Sequence, residues 1–292
     1  MTGIENGIQV PYCTGRNYPK YTIPDYACDS HHHIYDPVRF PYQPTDVRNQ
    51  PPATVECYWM LQKKLGTTRN VIVQPSAYGT DNQCTLDALK TMGKENTRAI
   101  VVVDPTISDA ELQELDKQGV RGLRINISCG AADDFAMVEA LAKRIAPMNW
   151  CICFWMGADI TAQKEEFLAN LPCQIVFDHR GHIPAFDGIN HPAFGVICRL
   201  MQKNKAWVKL SGLYMDSKTT NYQDTVLVGK EYVKVNPDRC LWGTDWPHPR
   251  CYTNLQPMPN DSDMLDLLME QAGSKVNFNK ILVDNPAQLF GF

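Results

Sequence analysis

The feature that most constrains this chain is an alternation of short apolar segments with segments of helical character, repeated eight times. Segments such as 70–74 (NVIVQ) and 99–104 (AIVVVD) are almost entirely apolar, which is typical of parallel strands buried on both faces. One intervening helix is predicted to begin at Ser108, because Glu111 three residues on completes a capping box. The eight predicted strands are 26–31, 70–74, 99–104, 120–126, 150–155, 174–179, 207–211 and 240–244.

Eight strand–helix units within residues 26–292 predict the α/β class and a single-domain (β/α)8 TIM barrel. Residues 1–25 are rich in proline, glycine and tyrosine without a hydrophobic period, so we expect an N-terminal extension that lies over the barrel. The alternative is an open, doubly wound sheet, which usually carries a glycine-rich phosphate turn after its first strand. The corresponding segment here, 29–37 (DSHHHIYDP), contains no glycine, which favours the barrel.

The amino-acid composition limits which kinds of partner the protein can bind and which cellular compartment it can occupy. With 44% hydrophobic and 21% charged residues, the chain resembles a soluble globular protein. A formal net charge of −4 and the lack of a basic stripe argue against nucleic acid, and no apolar run is long enough to span a membrane. The 11 cysteines form no CxxC pair, and the first residues form no apolar signal core, so we expect a reducing, cytoplasmic location. The sequence does not indicate an oligomeric state.

The C-terminal ends of the strands, where a barrel of this type carries its active site, are rich in polar residues. The first predicted strand ends in three consecutive histidines. Side chains alternate in a strand, so His31 and His33 should point one way and His32 the other. Two converging imidazoles suit a metal ion, or an oxygen that needs two hydrogen-bond partners.

Two further strand ends add candidate catalytic groups. Asp245 follows the eighth strand and precedes Trp-Pro-His, so we expect a walled pocket in which burial raises the pKa of the carboxyl and makes it a better base. A loop-capping aspartate is the alternative. His179 ends the sixth strand, and its alternative is a core histidine bonded to Asp178. We expect His248, three residues beyond Asp245, to line the mouth of the site.

An arginine on the fourth strand suggests an anionic ligand. Arg124 lies between the apolar Leu123 and Ile125. An arginine inside a barrel is costly unless its guanidinium meets an anion, and a substrate carboxylate would provide one. The alternative is an internal ion pair with Asp104 or Asp29.

Three motifs together carry a family resemblance: HxH after the first strand, a single histidine ending the sixth, and GTDWPH after the eighth. They resemble the amidohydrolase superfamily, and within it the amidohydrolase-2 group that contains the 2-pyrone-4,6-dicarboxylate lactonases. The similarity extends over residues 27–286, through RNVIVQPSAYGTDN, VVVDP, GLRINI, FDHRG and LWGTDWPHP. The resemblance implies a (β/α)8 barrel that hydrolyses a lactone. It also implies catalytic positions at His31, His33, His179 and Asp245, and substrate-carboxylate positions at Ser76 and Arg124.

The chain departs from that lactonase pattern at three positions. It has Trp155 where the pattern has a tyrosine ending the fifth strand, and Met215 where it has an arginine after the seventh. It has Arg48 in the first loop in place of a tyrosine. We expect Arg48 and Trp155 to contact the substrate, with carboxylate recognition that differs from that of the pyrone dicarboxylate enzymes.

The resemblance also bears on the cofactor. We find no lysine on the fourth strand suited to carboxylation, so a binuclear metal centre is not expected. The lactonases of this group are metal-independent, although their histidine set resembles a set of metal ligands. The prediction is therefore that no cofactor is required, or that His31, His33, His179 and Asp245 hold one divalent metal, with zinc as the first choice.

The predicted function is hydrolysis of a small, carboxylated lactone by water that Asp245 activates. The three histidines would stabilise the oxyanion directly or through one divalent metal. Alternatives within the superfamily are a zinc-dependent decarboxylase and a sugar-lactone isomerase that moves protons without net hydrolysis. A protein that binds a small molecule without catalysis is a further alternative.

Overall fold

A computed structural model describes residues 7–46, 48–127 and 133–292, except the side chains of residues 133 and 134. Eight parallel strands pair in the order of the sequence. They are β1 Cys28–His32, β2 Arg69–Val73, β3 Thr97–Val101, β4 Val120–Ile127, β5 Cys151–Met156, β6 Gln174–Phe177, β7 Ala206–Lys209 and β8 Cys240–Leu241.

Backbone hydrogen bonds between the first strand and the segment after the last one close the sheet into a barrel. The Ser30 N–H donates to the Trp242 carbonyl at 2.8 Å, and the Asp245 N–H donates to the His31 carbonyl at 2.8 Å. An open doubly wound sheet would have two unpaired edges and would not keep its strands in the order of the sequence. The predicted (β/α)8 barrel is therefore confirmed.

Helices follow the strands and cover the outside of the barrel. The α-helices are α1 Val55–Leu65, α2 Gln83–Met92, α3 Asp109–Gln118, α4 Asp133–Ile145, α5 Ala158–Gln163, α6 Glu165–Asn170, α7 Pro192–Gln202, α8 Leu213–Asp216, α9 Val226–Val235, α10 Pro249–Thr253, α11 Asp261–Ala272, α12 Lys275–Asn279 and α13 Asn285–Phe290. Short 3-10 turns lie at Ser76–Tyr78, Ala146–Met148, His179–His182, Gly188–Asn190, Gln223–Thr225 and Pro237–Arg239, and a π-helical turn lies at Lys280–Asp284. The capping box predicted at Ser108 and Glu111 begins α3.

The strands divide the apolar side chains between two layers. Val71, Val73, Cys153 and Trp207 belong to a buried cluster inside the barrel. Their neighbours along the strands, such as Ile72, pack outward against the helices in a larger cluster. This division explains the continuous apolar strands in the sequence, because both faces of every strand are covered.

Several elements are shorter than predicted. β6 ends at Phe177 and β8 at Leu241, whereas the predictions extended them to 179 and 244. The backbone takes a positive φ of 49° at His179 and 62° at Asp245, which is incompatible with a continuing strand. The polar residues at these strand ends therefore belong to the turns that form the site. The helical segment after β5 is divided into α5 and α6.

The described part of the N-terminal extension, residues 7–25, contains no helix or strand and packs on the loop after β8. The Trp246 indole N–H donates to the Pro11 carbonyl at 2.8 Å, and the Tyr12 ring meets that indole edge to face at 5.9 Å. The extension thus supports the loop that carries Asp245. Among the described residues, no helix is both long enough and apolar enough to cross a bilayer.

Candidate active site

Three imidazole nitrogens converge on one carboxylate oxygen at the C-terminal end of the barrel. The Nε2 atoms of His33, His31 and His179 lie 3.2, 3.4 and 3.8 Å from Oδ1 of Asp245. All four side chains are at most 2% exposed. The structure therefore brings together the four catalytic candidates that the sequence placed at three separate strand ends.

The end of β1 directs two of its histidines into the site and one away from it. The pairing of β1 with β2 shifts register between Asp29 and His32, so the strand is irregular where the histidines begin. His31 and His33 face Asp245, whereas the His32 ring stacks on Tyr58 outside the barrel at 3.6 Å. The expected opposite orientation of His32 is confirmed.

Asp245 is fixed mainly by contacts to β1. Its own N–H donates to the His31 carbonyl, and the buried carboxylate of Asp29 accepts from the Thr244 N–H at 2.9 Å and the Thr244 hydroxyl at 2.7 Å. A Cβ at Gly243 would lie 2.7 Å from the His31 Cβ, so only glycine permits this approach of the two segments. The loop after β8 is thus locked onto the strand that carries the histidines.

A backbone carbonyl fixes the tautomer of His33. The Nδ1 atom lies 2.7 Å from the Val73 carbonyl oxygen, which can only accept a hydrogen bond. Nδ1 must therefore carry a proton. Nε2 lies 3.2 Å from Oδ1 of Asp245, so it donates to that carboxylate when it carries a proton; in the neutral ring its lone pair can accept from water or bind a cation.

His179 is held by residues that follow β7. Its Nδ1 lies 3.0 Å from the Ser211 hydroxyl, and a Cβ at Gly212 would lie 2.6 Å from that nitrogen. Gly212 has a positive φ of 62°, so the turn needs glycine for both its backbone and its space. The polar partner of the His179 ring is Ser211, so the alternative of a core histidine bonded to Asp178 is wrong.

A buried ion pair lies beneath His31. The ammonium Nζ of Lys209, at the end of β7, lies 3.0 Å from Asp178 Oδ1 and 3.1 Å from His31 Nδ1. Burial disfavours the charged ammonium and by itself would lower the pKa of Lys209. The attraction of the Asp178 carboxylate exceeds this effect of burial, so the pKa of Lys209 is raised. Burial and the nearby ammonium lower the pKa of His31 to about 4. Near pH 7 the lysine is charged and His31 is neutral.

The electrostatics of Asp245 differ from the expectation based on sequence. Burial by itself would raise the pKa of the carboxyl, as predicted, but the imidazoles of His179, His33 and His31 more than offset it and hold the pKa well below its usual range. The Tyr214 hydroxyl also donates to Oδ2 at 2.5 Å. The expected rise in pKa is therefore wrong. Asp245 stays ionised at neutral pH, and its fitness as a base depends on its position.

A cavity of about 330 Å³ opens above this cluster. Four of the predicted substrate-binding residues line it, namely Arg48, Ser76, Arg124 and Trp155. Met215 also forms part of its wall. The substitutions relative to the lactonase pattern therefore lie on the surface that a substrate would meet.

Arg124 projects into the cavity from β4 and is mostly buried. Its Nη1 donates to the Gln74 carbonyl at 2.9 Å, and its Nε has no hydrogen-bond partner in the described part of the chain. The carboxylate of Asp104 is exposed and accepts from Thr106, while Asp29 is bonded outside the barrel. Within the described residues neither predicted ion pair forms, so that alternative for Arg124 is wrong.

Comparison with known proteins identifies the family to which the chain belongs. The amidohydrolase family model matches residues 28–292. This chain belongs to the amidohydrolase family. It is 33% identical to 4-sulfomuconolactone hydrolase of Hydrogenophaga intermedia, over 98% of this chain and 97% of that protein. It is 32% identical to 2-pyrone-4,6-dicarboxylate hydrolase of Comamonas testosteroni, over 93% of this chain and 92% of that protein.

A solved structure supports the same fold. An apo crystal structure of a protein from Agrobacterium tumefaciens superimposes with a TM-score of 0.82 at 28% identity. The match covers 94% of this chain and 98% of that one. The barrel of this amidohydrolase is thus shared along nearly its whole length.

His248 does not line the cavity of this amidohydrolase, contrary to the prediction. Its side chain is fully buried, and Nε2 lies 3.2 Å from the carboxylate of Asp261. The reason is local, because a left-handed backbone at His248 with φ of 60° begins α10 and turns the ring away from the cavity. The ring instead packs edge to face on Tyr214 at 5.3 Å.

Sequence reasoning assigned no role to three residues at this site. Arg250 lines the cavity, and its guanidinium carbon lies 5.8 Å from the centre of the Trp155 ring. Its place in the loop after β8 is a signal that could have identified it. Lys209 carried the same kind of signal, because it is a charged residue at the end of β7. Tyr214 offered no such signal, because its importance depends on the side chain that it meets.

The donor set of this amidohydrolase fits one divalent cation. Ligand atoms of His31, His33 and Asp245 lie within 4.8 Å of one another, as do those of His31, Asp178 and His179. The Nε2 of His31 is buried without a hydrogen-bond partner. Neutral imidazoles next to a carboxylate are the ligands that zinc prefers. The described residues are therefore compatible with a mononuclear site.

Proposed function

We propose that this amidohydrolase hydrolyses a lactone that carries a carboxylate. The observation that carries the proposal is the convergence of three imidazoles on Oδ1 of Asp245, below a cavity that also holds the guanidinium of Arg124. A base beside hydrogen-bonding groups serves the attack of water on a carbonyl, and a guanidinium binds a carboxylate. The two named relatives, which are lactone hydrolases by name, support the same reaction.

Asp245 would act as the general base through one oxygen. Because Tyr214 donates to Oδ2, Oδ1 is left to take a proton from water. The resulting hydroxide oxygen bonds to the lactone carbonyl carbon, and the bond from that carbon to the ring oxygen then breaks. Asp245 returns its proton to the ring oxygen, which regenerates the carboxylate and yields a hydroxy acid.

The three imidazoles would orient the attacking water and stabilise the oxyanion. The Nε2 lone pair of His33 can accept a hydrogen bond from the attacking water, which orients it beside Asp245. His31 and His179 would donate to the oxygen that becomes negative when the carbonyl is attacked. Preorganised donors of this kind stabilise the developing charge without having to reorganise. A lactone is already activated relative to an amide, so this modest machinery suffices.

The substrate carboxylate would bind at Arg124. Its buried guanidinium lines the same cavity as Ser76, and its Nε has no hydrogen-bond partner among the described residues. Arg48 also lines the cavity, but its guanidinium is held by the carboxylate of Asp46. Arg48 and Arg250 would therefore add positive potential at the rim, while Arg124 forms the direct pair.

A divalent cation, when bound, would polarise the carbonyl or a water molecule as a Lewis acid. His31, His33, His179 and Asp245 are the residues that would hold it. We expect turnover without the cation, as the resemblance to the metal-independent lactonases implies. The acid and base steps assigned to the side chains do not depend on it.

A panel of lactones with and without a carboxylate, followed with a pH indicator, tests the proposal. We expect one acid released per lactone consumed, and only for carboxylated members of the panel. Carbon dioxide release would indicate a decarboxylase, and a rearranged lactone without acid release would indicate an isomerase. Binding of lactones without turnover would indicate a non-catalytic protein.

A further inference from the structure

Among the residues that the structure describes, three acceptor atoms lie near the ammonium of Lys209. Nζ is fully buried and lies 3.0 Å from Asp178 Oδ1, 3.1 Å from His31 Nδ1 and 3.9 Å from Cys153 Sγ. An ammonium has three N–H donors and no lone pair, so it can only donate. Unsatisfied donors on a buried charge are costly. All three neighbours are therefore needed as acceptors.

This requirement decides where His31 carries its proton. The same Nδ1 that faces Lys209 lies 3.3 Å from Asp178 Oδ1. If Nδ1 carried a proton, it could donate that proton to Asp178. The N–H would then also face the hydrogens of the Lys209 ammonium, and two donors would oppose each other. A lone pair on Nδ1 accepts from the ammonium and leaves Asp178 to pair with Lys209.

We propose that Lys209 is a positioning residue that holds His31 as the tautomer with its proton on Nε2. The two histidines of the HxH motif then carry opposite tautomers, because the Val73 carbonyl places the proton of His33 on Nδ1. His31 presents an N–H to the reacting oxygen, and His33 presents a lone pair to water. One donor and one acceptor thus point into the site from His31 at the end of β1 and from His33 just beyond it.

The chemical consequence concerns what His31 can bind. With the proton on Nε2, the ring is a hydrogen-bond donor to the oxyanion, and that atom would ligate a cation only after its proton has moved to Nδ1. Removal of Lys209 would leave Asp178 as the nearest polar neighbour of Nδ1, and Nδ1–H would then donate to that carboxylate. The carboxylate–histidine arrangement that orients metal ligands would result. Lys209 thus favours the donor state of His31 over its ligand state.

Nitrogen NMR of the imidazoles tests the assignment without any substrate. In 15N-labelled protein, two-bond proton–nitrogen correlations distinguish the two tautomers, and His31→Asn identifies the signals of His31 by their loss. We expect His31 protonated at Nε2 and His33 at Nδ1 in the unsubstituted chain. His31 protonated at Nδ1 would overturn the proposal.

Lys209→Met removes the ammonium donor and keeps an unbranched side chain that is one atom shorter. We expect the His31 pattern to switch to Nδ1–H, and an unchanged pattern would overturn the role of Lys209. Lys205→Met is the matched control, because Lys205 lies just before β7 and its ammonium donates to the carbonyls of Leu171 and Cys173 just before β6. Should Lys209→Met fail to fold, Asp178→Asn serves instead. That variant replaces the competing carboxylate with a neutral amide, which is a weaker acceptor, and must keep His31 protonated at Nε2.

A kinetic comparison adds the catalytic consequence and rests on the proposed function. Loss of one oxyanion donor lowers kcat by about 10²–10³ in comparable enzymes. We expect Lys209→Met to lower kcat by at least tenfold with little change in KM, and Lys205→Met to leave both unchanged. A switched spectrum with an unchanged kcat would overturn the positioning role in catalysis. If no lactone is turned over, the proposed function is refuted. The NMR spectra would still determine the tautomer of His31, because they need no substrate.

Discussion

The hydroxyl of Tyr214 donates a 2.5 Å hydrogen bond to Oδ2 of Asp245, and both side chains are buried. The other carboxylate oxygen faces three imidazole nitrogens. Oδ2 of Asp245 is therefore occupied by a hydrogen bond within the protein, and Oδ1 faces the cavity. Burial and the neighbouring carboxylate raise the pKa of Tyr214 well above its ordinary value, so the phenol keeps its proton and remains a donor.

Tyr214→Phe should lower kcat without unfolding the protein. A hydrogen bond to a charged group contributes about 1.5–3 kcal/mol, which corresponds to roughly a tenfold to hundredfold loss if the orientation of Asp245 depends on it. Steady-state kinetics with a carboxylated lactone would measure the effect. Tyr222→Phe, in the same apolar cluster but without a contact to Asp245, is the control. An unchanged kcat would contradict this role of Tyr214.

Asp245→Asn should abolish most of the activity and retain the fold. General base catalysis contributes on the order of 10²–10⁴, so we expect kcat to fall about a thousandfold or more. The asparagine is isosteric and keeps an acceptor for Tyr214, and circular dichroism can verify folding. A variant with more than a tenth of the original activity would exclude Asp245 as the base.

Arg124→Met should discriminate between anionic and neutral lactones. The expected loss in kcat/KM for a carboxylated lactone is about 2–4 kcal/mol, mostly through KM, since one partner of a buried charge pair is truncated. A neutral lactone should be hardly affected. Arg121→Met is the matched control, because Arg121 lies on the same strand and contacts Asp116 outside the cavity. Equal losses on both lactones would rule out a carboxylate clamp.

Metal removal should leave the reaction intact. If His31 and His33 act through hydrogen bonds, a chelator will not change the rate, and elemental analysis will find well under one metal ion per chain. The measurement needs the same lactone with and without chelator. Loss of activity that added zinc restores would instead establish the mononuclear metal mechanism.

The acid limb of the pH profile should lie at low pH. The pKa of Asp245 is held well below its usual range and that of His31 is lowered to about 4, so both keep their working forms as the pH falls from neutral towards that value. Asp245 and His31 should therefore impose no limb on kcat/KM, which reports the free enzyme, between neutral pH and about pH 4. An acid limb near 6.5 that disappears in His31→Asn would contradict the shift of His31.

The same shift of His31 predicts how stability depends on pH. The unfolded chain binds a proton on this histidine below about 6.5, whereas the folded chain does so only below about 4. Between these values the unfolded state holds more protons, so the free energy of unfolding should fall as the pH decreases. His31→Asn should lose part of that dependence in thermal melts across this range. An identical dependence in the variant would contradict the shift.

The barrel and the location of its site could be predicted because they depend on periodicity. The continuous apolar strands require cover on both faces, and the strand ends of a barrel share one mouth. This reasoning placed His31, His33, His179 and Asp245 together before any coordinates. The alternation of side chains along a strand also separated His32 from its neighbours, and the Tyr58 stacking confirms it.

Only the tertiary structure decided how these groups act on one another. Lys209 meets His31 across 178 residues of sequence, and a left-handed turn directs His248 to Asp261 and away from the cavity. The pKa of Asp245 is lowered rather than raised, because three imidazoles outweigh its burial. Sequence patterns specify which residues lie at a strand end, because the position of each strand follows from the repeated alternation of strands and helices. Partners, tautomers and charge states depend on ångström-scale distances between side chains, which no repeat specifies.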